Sequence, residues 1–577
     1  MKKKLLPALI VTGLIILVVI IMGITALINK YTPTKKTEDL KEYFNISSDD
    51  EAALIVNNEL SDYKAKIIDK KIYVDYKFVH DSLNSRFYWD ANENVLLYTT
   101  ASDIISAAAD SNSYSVTKQT NDFGYPIVKA TSDSALIALD YVKQYSNITF
   151  KSYDDPARIV ITSKWDEIDS ATVSKSTQVR VKGGIKSPIL KEVKKDDKIT
   201  ILDSGDKWDK IATEDGVIGY IKGKALSESK KTKLTNPDYE EETFTHIKKD
   251  KDICLAWNQV TSQSANSKVP QVISSTKGIN VMSPTWFYLN DNNGNLADIA
   301  SKDYVSYCHS QGIEVWGLFS NFENIDVDAA YVLTHTSTRT TLINQIMSAA
   351  FNYELDGVNI DFENITEAAY GDSYIEFIRE LAIKCHNNGI SLSVDVTVPA
   401  SFNKFFNRSD MANFADYIVI MGYDEHYKGS DAGSVSSIPW VTEGVESTLK
   451  EVPADQIILG MPFYTRIWEL TPKEDDDAVT DTEDQSKYTV ASQVYSMDAA
   501  AAQLATNNAT AALDEESGQN YAEWSVSNKL YKVWLEDTTS LEKRLKLVDD
   551  NKLAGAAFWK LGFENSSVWD TVIKYLN

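Results

Sequence analysis

The chain has 577 residues, with 58 Lys+Arg against 83 Asp+Glu and a net charge of -25. That balance argues against a nucleic-acid partner and against electrostatic capture by anionic lipid or acidic wall polymer, because each would be repelled by most of the surface. Hydrophobic residues make up 43% and aromatics 11%, which excludes global disorder, and the length predicts three or four domains.

Lys2, Lys3 and Lys4 precede an uncharged apolar run from Leu5 to Ile28, closed by Lys30. At ~1.5 Å per residue such a helix reaches about 36 Å, more than a ~30 Å hydrocarbon core. No good small-x-small cleavage site precedes Lys30, so residues 1–30 are expected to be a membrane anchor rather than a cleaved signal. The lysines put the N-terminus inside and the bulk of the chain outside. Residues 31–52 are polar and read as a tether. Residues 53–165 hold a weak internal repeat, in which Phe78-Val79 is matched by Tyr141-Val142 and Phe87 by Phe150, each 63 residues on. Each copy reads strand, short helix, strand, turn, strand. Residues 170–228 change to short β-rich runs, and 229–245 form a second linker.

From 246 to 577 apolar strand-like runs alternate with helical patterns. The runs begin at Cys254, Ile279, Ile313, Leu355, Ile390, Asp416, Gln456 and Leu553. The clearest helix places Tyr374, Phe377, Ile378, Leu381, Ala382 and Cys385 on one stripe. Eight such strands with intervening helices predict an α/β (β/α)8 barrel. The long gap after the seventh, about 468–550, predicts an inserted α+β subdomain.

Catalytic groups of such a barrel sit at the C-terminal ends of its strands. The fourth strand ends LDGVNIDFEN, and alternation points Asn359, Asp361 and Glu363 the same way. Polar groups on the inward face of an apolar strand are costly unless used. Two carboxylates that close push one pKa up, giving an acid that stays protonated near neutral pH. A general acid needs that property to protonate a leaving-group oxygen. The three cysteines (Cys254, Cys308, Cys385) form no CxxC pair, and the six histidines show no paired ligand spacing. No metal site or cofactor is expected.

Asp356-Gly357-Val358-Asn359-Ile360-Asp361-Phe362-Glu363 resembles the DGxDxDxE motif of glycoside hydrolase family 18. Met421-Gly422-Tyr423-Asp424 is similar to that family's MxYD motif. Gly460 to Arg466 is similar to its GxPFYGR run, with Thr465 in place of glycine, and Ala557-Phe558-Trp559 fits its eighth-strand tryptophan. The resemblance implies Glu363 as general acid and then base. Asp361 would orient the substrate's 2-acetamido group, and Tyr423 would hydrogen-bond it. Asp424, Asn359, Tyr464 and Arg466 would contact the sugar, Trp559 would form its floor, and Asp356 would be a support carboxylate. It also implies a substrate-assisted, retaining mechanism, in which the acetamido oxygen attacks the anomeric carbon. One departure stands out: the family's middle Asp is Asn359, which removes a carboxyl that could share a proton with Asp361. Residues 53–165 resemble the copper amine oxidase N-terminal-like domain, without copper ligands. Residues 170–228 resemble a bacterial SH3-like domain, on Trp208, Asp215-Gly216 and Gly219-Tyr220-Ile221. That module implies wall-peptide binding or a spacer. The expectation is an extracellular hydrolase of N-acetylglucosamine-containing glycan, peptidoglycan ahead of chitin-like polymer. The alternative is a catalytically silent, lectin-like glycan binder on the same barrel.

Overall fold

The computed structural model describes residues 5–365, 368–473 and 485–576. They fall into two compact units: 1–89, 107–114 and 120–241 form one, and 90–106, 115–119 and 242–577 the other.

The first unit opens on the helix Leu5–Tyr31. Its stretch Pro7–Tyr31 is long and apolar enough to cross a membrane. Thr12 and Thr25 donate their hydroxyls to the carbonyls of Ala8 and Ile21, so these polar groups are satisfied within the helix, as hydrocarbon surroundings would demand. Two seven-stranded sheets follow. In one, Glu51–Val56 pairs antiparallel with Glu59–Ile68 and parallel with Arg158–Thr162. Phe78-Val79 and Tyr141-Val142 are buried in the short helices Tyr76–Ser82 and Leu139–Gln144. In the other sheet, Trp208–Thr213 and Ile218–Lys222 are neighbours, and Lys222 Nζ lies 5.7 Å from the Trp208 ring centroid.

The second unit is built on a closed parallel barrel. Its strands are β1 (Ile253–Asn258), β2 (Val281–Leu289), β3 (Glu314–Ser320), β4 (Gly357–Asp361), β5 (Ser391–Thr397), β6 (Tyr417–Met421), β7 (Ile457–Pro462) and β8 (Gly555–Trp559). Each pairs with the next, and β8 pairs with β1 to close the ring. All eight coincide with the apolar runs of the sequence. β1, β4, β6 and β7 are buried at every position, as strands covered on both faces must be. Between β7 and β8 lies a five-stranded antiparallel sheet with the helix Met497–Thr506. Its first strand, Tyr464–Pro472, starts two residues after β7 ends, so the insertion begins earlier than the sequence gap suggests.

The helix Gly371–His386 buries the predicted stripe, and it buries Glu376, Arg379 and Glu380 as well. These charges are paired: Arg379 with Glu376 at 2.9 Å and with Asp410, and Glu380 with Arg339 at 2.9 Å. Thr99, on the strand Val95–Thr99, donates to Glu376 at 2.7 Å. The same 90–106 segment serves the helix Thr336–Tyr353, whose own N-cap residue, His335, makes no side-chain cap bond. Asp90 instead accepts from Thr336 N (2.7 Å), and Glu93 from Ser337 N (3.0 Å). Carboxylates here satisfy orphan N–H groups and complement the helix dipole.

Candidate active site

β4 ends at Asp361, and its alternation carries Glu363 to the same side, so both carboxyls reach a cavity of ≈ 830 Å³ at the C-terminal mouth of the barrel. Tyr423 and Asp424, which follow β6, and Trp559, the last residue of β8, line it too. Trp257 from β1 sits between them, its ring edge-on to Tyr423 at 6.5 Å and to Trp559 at 6.0 Å. Asp424 has a φ of 61°, a left-handed conformation that Asp tolerates better than most residues. The Tyr464 hydroxyl donates to its carboxylate from behind the cavity wall.

Asn359 lies one layer deeper and is fully buried. Its Oδ1 accepts from Trp257 Nε1 and Ser283 Oγ, each at 3.0 Å. Its Nδ2 donates to Ser393 Oγ at 3.0 Å and Asp395 Oδ1 at 2.7 Å. The amide thus has every hydrogen-bonding capacity filled. Asp361 is nearly as buried, yet its Oδ1 has no partner.

Among the described residues, six carboxylates line the cavity (Glu323, Asp361, Glu363, Asp395, Asp424 and Glu425) and no Lys, Arg or His does. The electrostatics follow. Burial raises the Asp361 carboxyl well above the usual range, with Asp395, Glu363 and Glu323 adding to it. Glu363 keeps contact with solvent, but the protein around it still raises its pKa, first by desolvation and then through Asp424 and Glu323. Burial likewise raises Asp395, against the hydrogen bond from Asn359. Raised carboxyls at a cleft are suited to holding and moving protons near neutral pH.

The remaining candidates lie outside the cavity wall. Arg466 donates from Nη1 to Ser492 Oγ at 3.1 Å and covers the Trp468 ring. Asp356 precedes β4 at the opposite end of the barrel, where Oδ2 accepts from Val315 N at 2.8 Å and lies 2.8 Å from His309 Nε2. Sequence reasoning missed Asp395, Glu323, Trp257 and the rim aromatics Phe322, Phe402 and Tyr427, which are largely exposed. Glu323 carries no motif; Ser320 Oγ holds it through both carboxylate oxygens, at 2.7 Å. Among the described residues, no group of three or more His, Cys, Asp or Glu is placed to hold a metal ion.

Residues 316–564 match the family described as glycosyl hydrolases family 18. The chain carries a glycosyl hydrolase family 18 domain. Among curated proteins, it is similar to the glycosylase YvbX of Bacillus subtilis, 24% identical over 49% of this chain and 81% of that protein. It is also similar to the cortical fragment-lytic enzyme of the same organism, 24% identical over 48% of this chain and 63% of the relative, which is less than two thirds of its length. Among solved structures, the C-terminal domain of a chitinase from Desulfitobacterium hafniense DCB-2 matches 56% of this chain and 98% of its own, at 18% identity and a TM-score of 0.49. The family match covers β4, β6, β7 and β8, and so the segments that carry Asp361, Glu363, Tyr423, Asp424 and Trp559. The family 18 domain is of the glycosidase type.

Proposed function

We propose that the family 18 domain cuts β-1,4 bonds in N-acetylglucosamine-containing polymers, peptidoglycan ahead of chitin, while the N-terminal helix anchors the chain in the cell membrane. In this reading the N-terminus is cytoplasmic and the barrel acts outside. The observation that carries it is the pair Asp361 and Glu363 in one cleft, both with raised pKa and with no cation among the described residues of the wall. Glu363 protonates the departing sugar oxygen while the substrate's acetamido oxygen attacks the anomeric carbon. Asp361 offsets the positive charge that then develops on the acetamido group, and Tyr423 hydrogen-bonds it. Trp559 forms the sugar floor, backed by the buried Trp257, and Asp424 binds a hydroxyl. Glu363, now a carboxylate, takes a proton from the water that opens the cyclic intermediate, so configuration is retained. The wall assignment is supported by the cortical fragment-lytic relative and the apolar helix. Residues 170–228 are the part we assign to a wall peptide or to a spacer role; Trp208 and Tyr220, half-buried in neighbouring strands, pack the module and are its candidate ligand contacts.

Mass analysis of products from purified wall and from chitin oligomers tests this reading. Fragments ending in a reducing N-acetylglucosamine are expected, with de-N-acetylated glycan resisting cleavage even at saturation. Binding without cleavage would mark a lectin-like protein. Equal turnover of acetylated and deacetylated oligomers would exclude the acetamido nucleophile.

A further inference from the structure

Asn359 pairs with Ser393 and Ile360 with Val394 across β4 and β5, so the next step of the register sets Asp361 beside Asp395. Both are almost fully buried, and both reach the catalytic cavity. The indole of Trp257 can only donate, which fixes the Asn359 amide with its oxygen toward Trp257 and its NH2 toward Asp395. Two buried carboxyls side by side cannot both ionise cheaply. An amide N–H donated to one of them favours the anion there and leaves the proton on the other, Asp361, whose Oδ1 has no hydrogen-bond partner.

We infer that Asp395 is the proton partner of Asp361: the two carboxyls share one proton, and Asp395 takes it up when Asp361 turns anionic during the reaction. The O–H bond on Asp361 breaks, one forms on Asp395, and the negative charge passes the other way. Asp361 then faces the developing positive charge as a carboxylate, and the proton returns when the sugar leaves. The catalytic step rests on the hydrolase reading above; the shared proton does not. Asn359, which deprives β4 of a carboxyl, is thereby what orders the proton between β4 and β5. The other titratable groups that face the pair are Glu363 just after β4, Glu323 after β3, Tyr374 from the helix Gly371–His386, and Tyr423 after β6, with Asp424 acting on Glu363. Burial and the two carboxyls keep Tyr374 neutral, so it supplies no competing charge.

The test moves the carboxyl between strands in the full-length protein in detergent micelles. Asp395→Asn is isosteric; it should lower kcat by about 10²-fold with KM held within about threefold. The alkaline limb of the pH–rate profile should move to lower pH, because one negative neighbour fewer lets the remaining acids ionise sooner. The double variant Asn359→Asp/Asp395→Asn, which returns a carboxyl to β4, should recover at least about tenfold of the lost kcat and move that limb back. In ¹³C-aspartate spectra, with Asp361 assigned from Asp361→Asn, the wild-type pair should titrate in two separated steps and Asp395→Asn in one, at lower pH. An unchanged Asp361 titration in Asp395→Asn would overturn the proposal. So would a folded double variant no more active than Asp395→Asn. A wild type that turns over no N-acetylated oligomer would defeat the hydrolase reading instead, and the titration would still decide the pair.

Discussion

Asn359 on the floor of the barrel and Asp361 at its mouth meet their hydrogen-bonding needs in opposite ways. On the floor, Asn359 reaches Trp257, Ser283, Ser393 and Asp395 and leaves nothing unmet. One pleat further along β4, at the mouth, Asp361 keeps a buried oxygen with no partner, and Glu363 stands beside it in the open cleft. Buried polar atoms are ordinarily satisfied, so the unpartnered Asp361 oxygen beside a saturated neighbour leaves that carboxyl free to take up a proton or a substrate group. Satisfaction, more than residue type, separates the two roles on one strand face.

Four substitutions test that contrast. Glu363→Gln keeps the shape of the mouth but removes its transferable proton. Turnover on natural glycan should fall by about 10²–10⁴-fold while binding to insoluble glycan persists; near-normal kcat would place the acid elsewhere. Asn359→Leu attacks the floor. It leaves the Trp257 and Ser283 donors unpaired and strips Asp395 of a hydrogen bond, at about 1–3 kcal/mol for each buried group. A loss of about 3–5 kcal/mol in chemical denaturation is expected, and a stability close to wild type would mean that water replaces the amide. Thr99→Val removes one hydroxyl from Glu376, which keeps Arg379, so stability should drop by about 1–2 kcal/mol while kcat of the folded enzyme stays within about twofold. The smallest effect is electrostatic. Glu323 is one of the charges that raise Glu363, so Glu323→Gln should let Glu363 ionise at lower pH. The alkaline limb would move down by less than about one pH unit; an upward move would show that Glu323 acts by hydrogen bonding rather than by charge.

The eight barrel strands were legible because each is a continuous apolar run between helical patterns, and β4 because a polar set interrupts such a run. β5 carries the same signal in Ser391, Ser393 and Asp395, three buried polar residues at alternate positions. It passed unread because no familiar motif follows it, although the physics is that of β4. The second buried face of the helix Gly371–His386 was hidden for a different cause. Glu376, Arg379 and Glu380 read as a solvated side until partners 31 to 277 residues away are known. Arg466 shows the opposite limit. It shares a strand and a parity with Tyr464, yet Tyr464 reaches Asp424 while Arg466 turns to Ser492, and alternation alone does not separate them.

The hydrogen bond between Thr99 and Glu376 joins residues 277 apart, and it belongs to the unit that also contains the barrel. At about 5–20 residues per second of synthesis, the strand that carries Thr99 waits on the order of 14–55 s before its acceptor has been made. Over that interval the partners of Asp90, Glu93 and Thr99 on the helices Thr336–Tyr353 and Gly371–His386 are still being made, and the segment has only the strands beside it in its own five-stranded sheet to pair with. The catalytic barrel therefore does not begin where its first strand begins. A fusion that borrows it from His246 onward would inherit a helix without its external cap and a buried glutamate short of a donor, whereas one that also carries residues 90–119 would keep both partners.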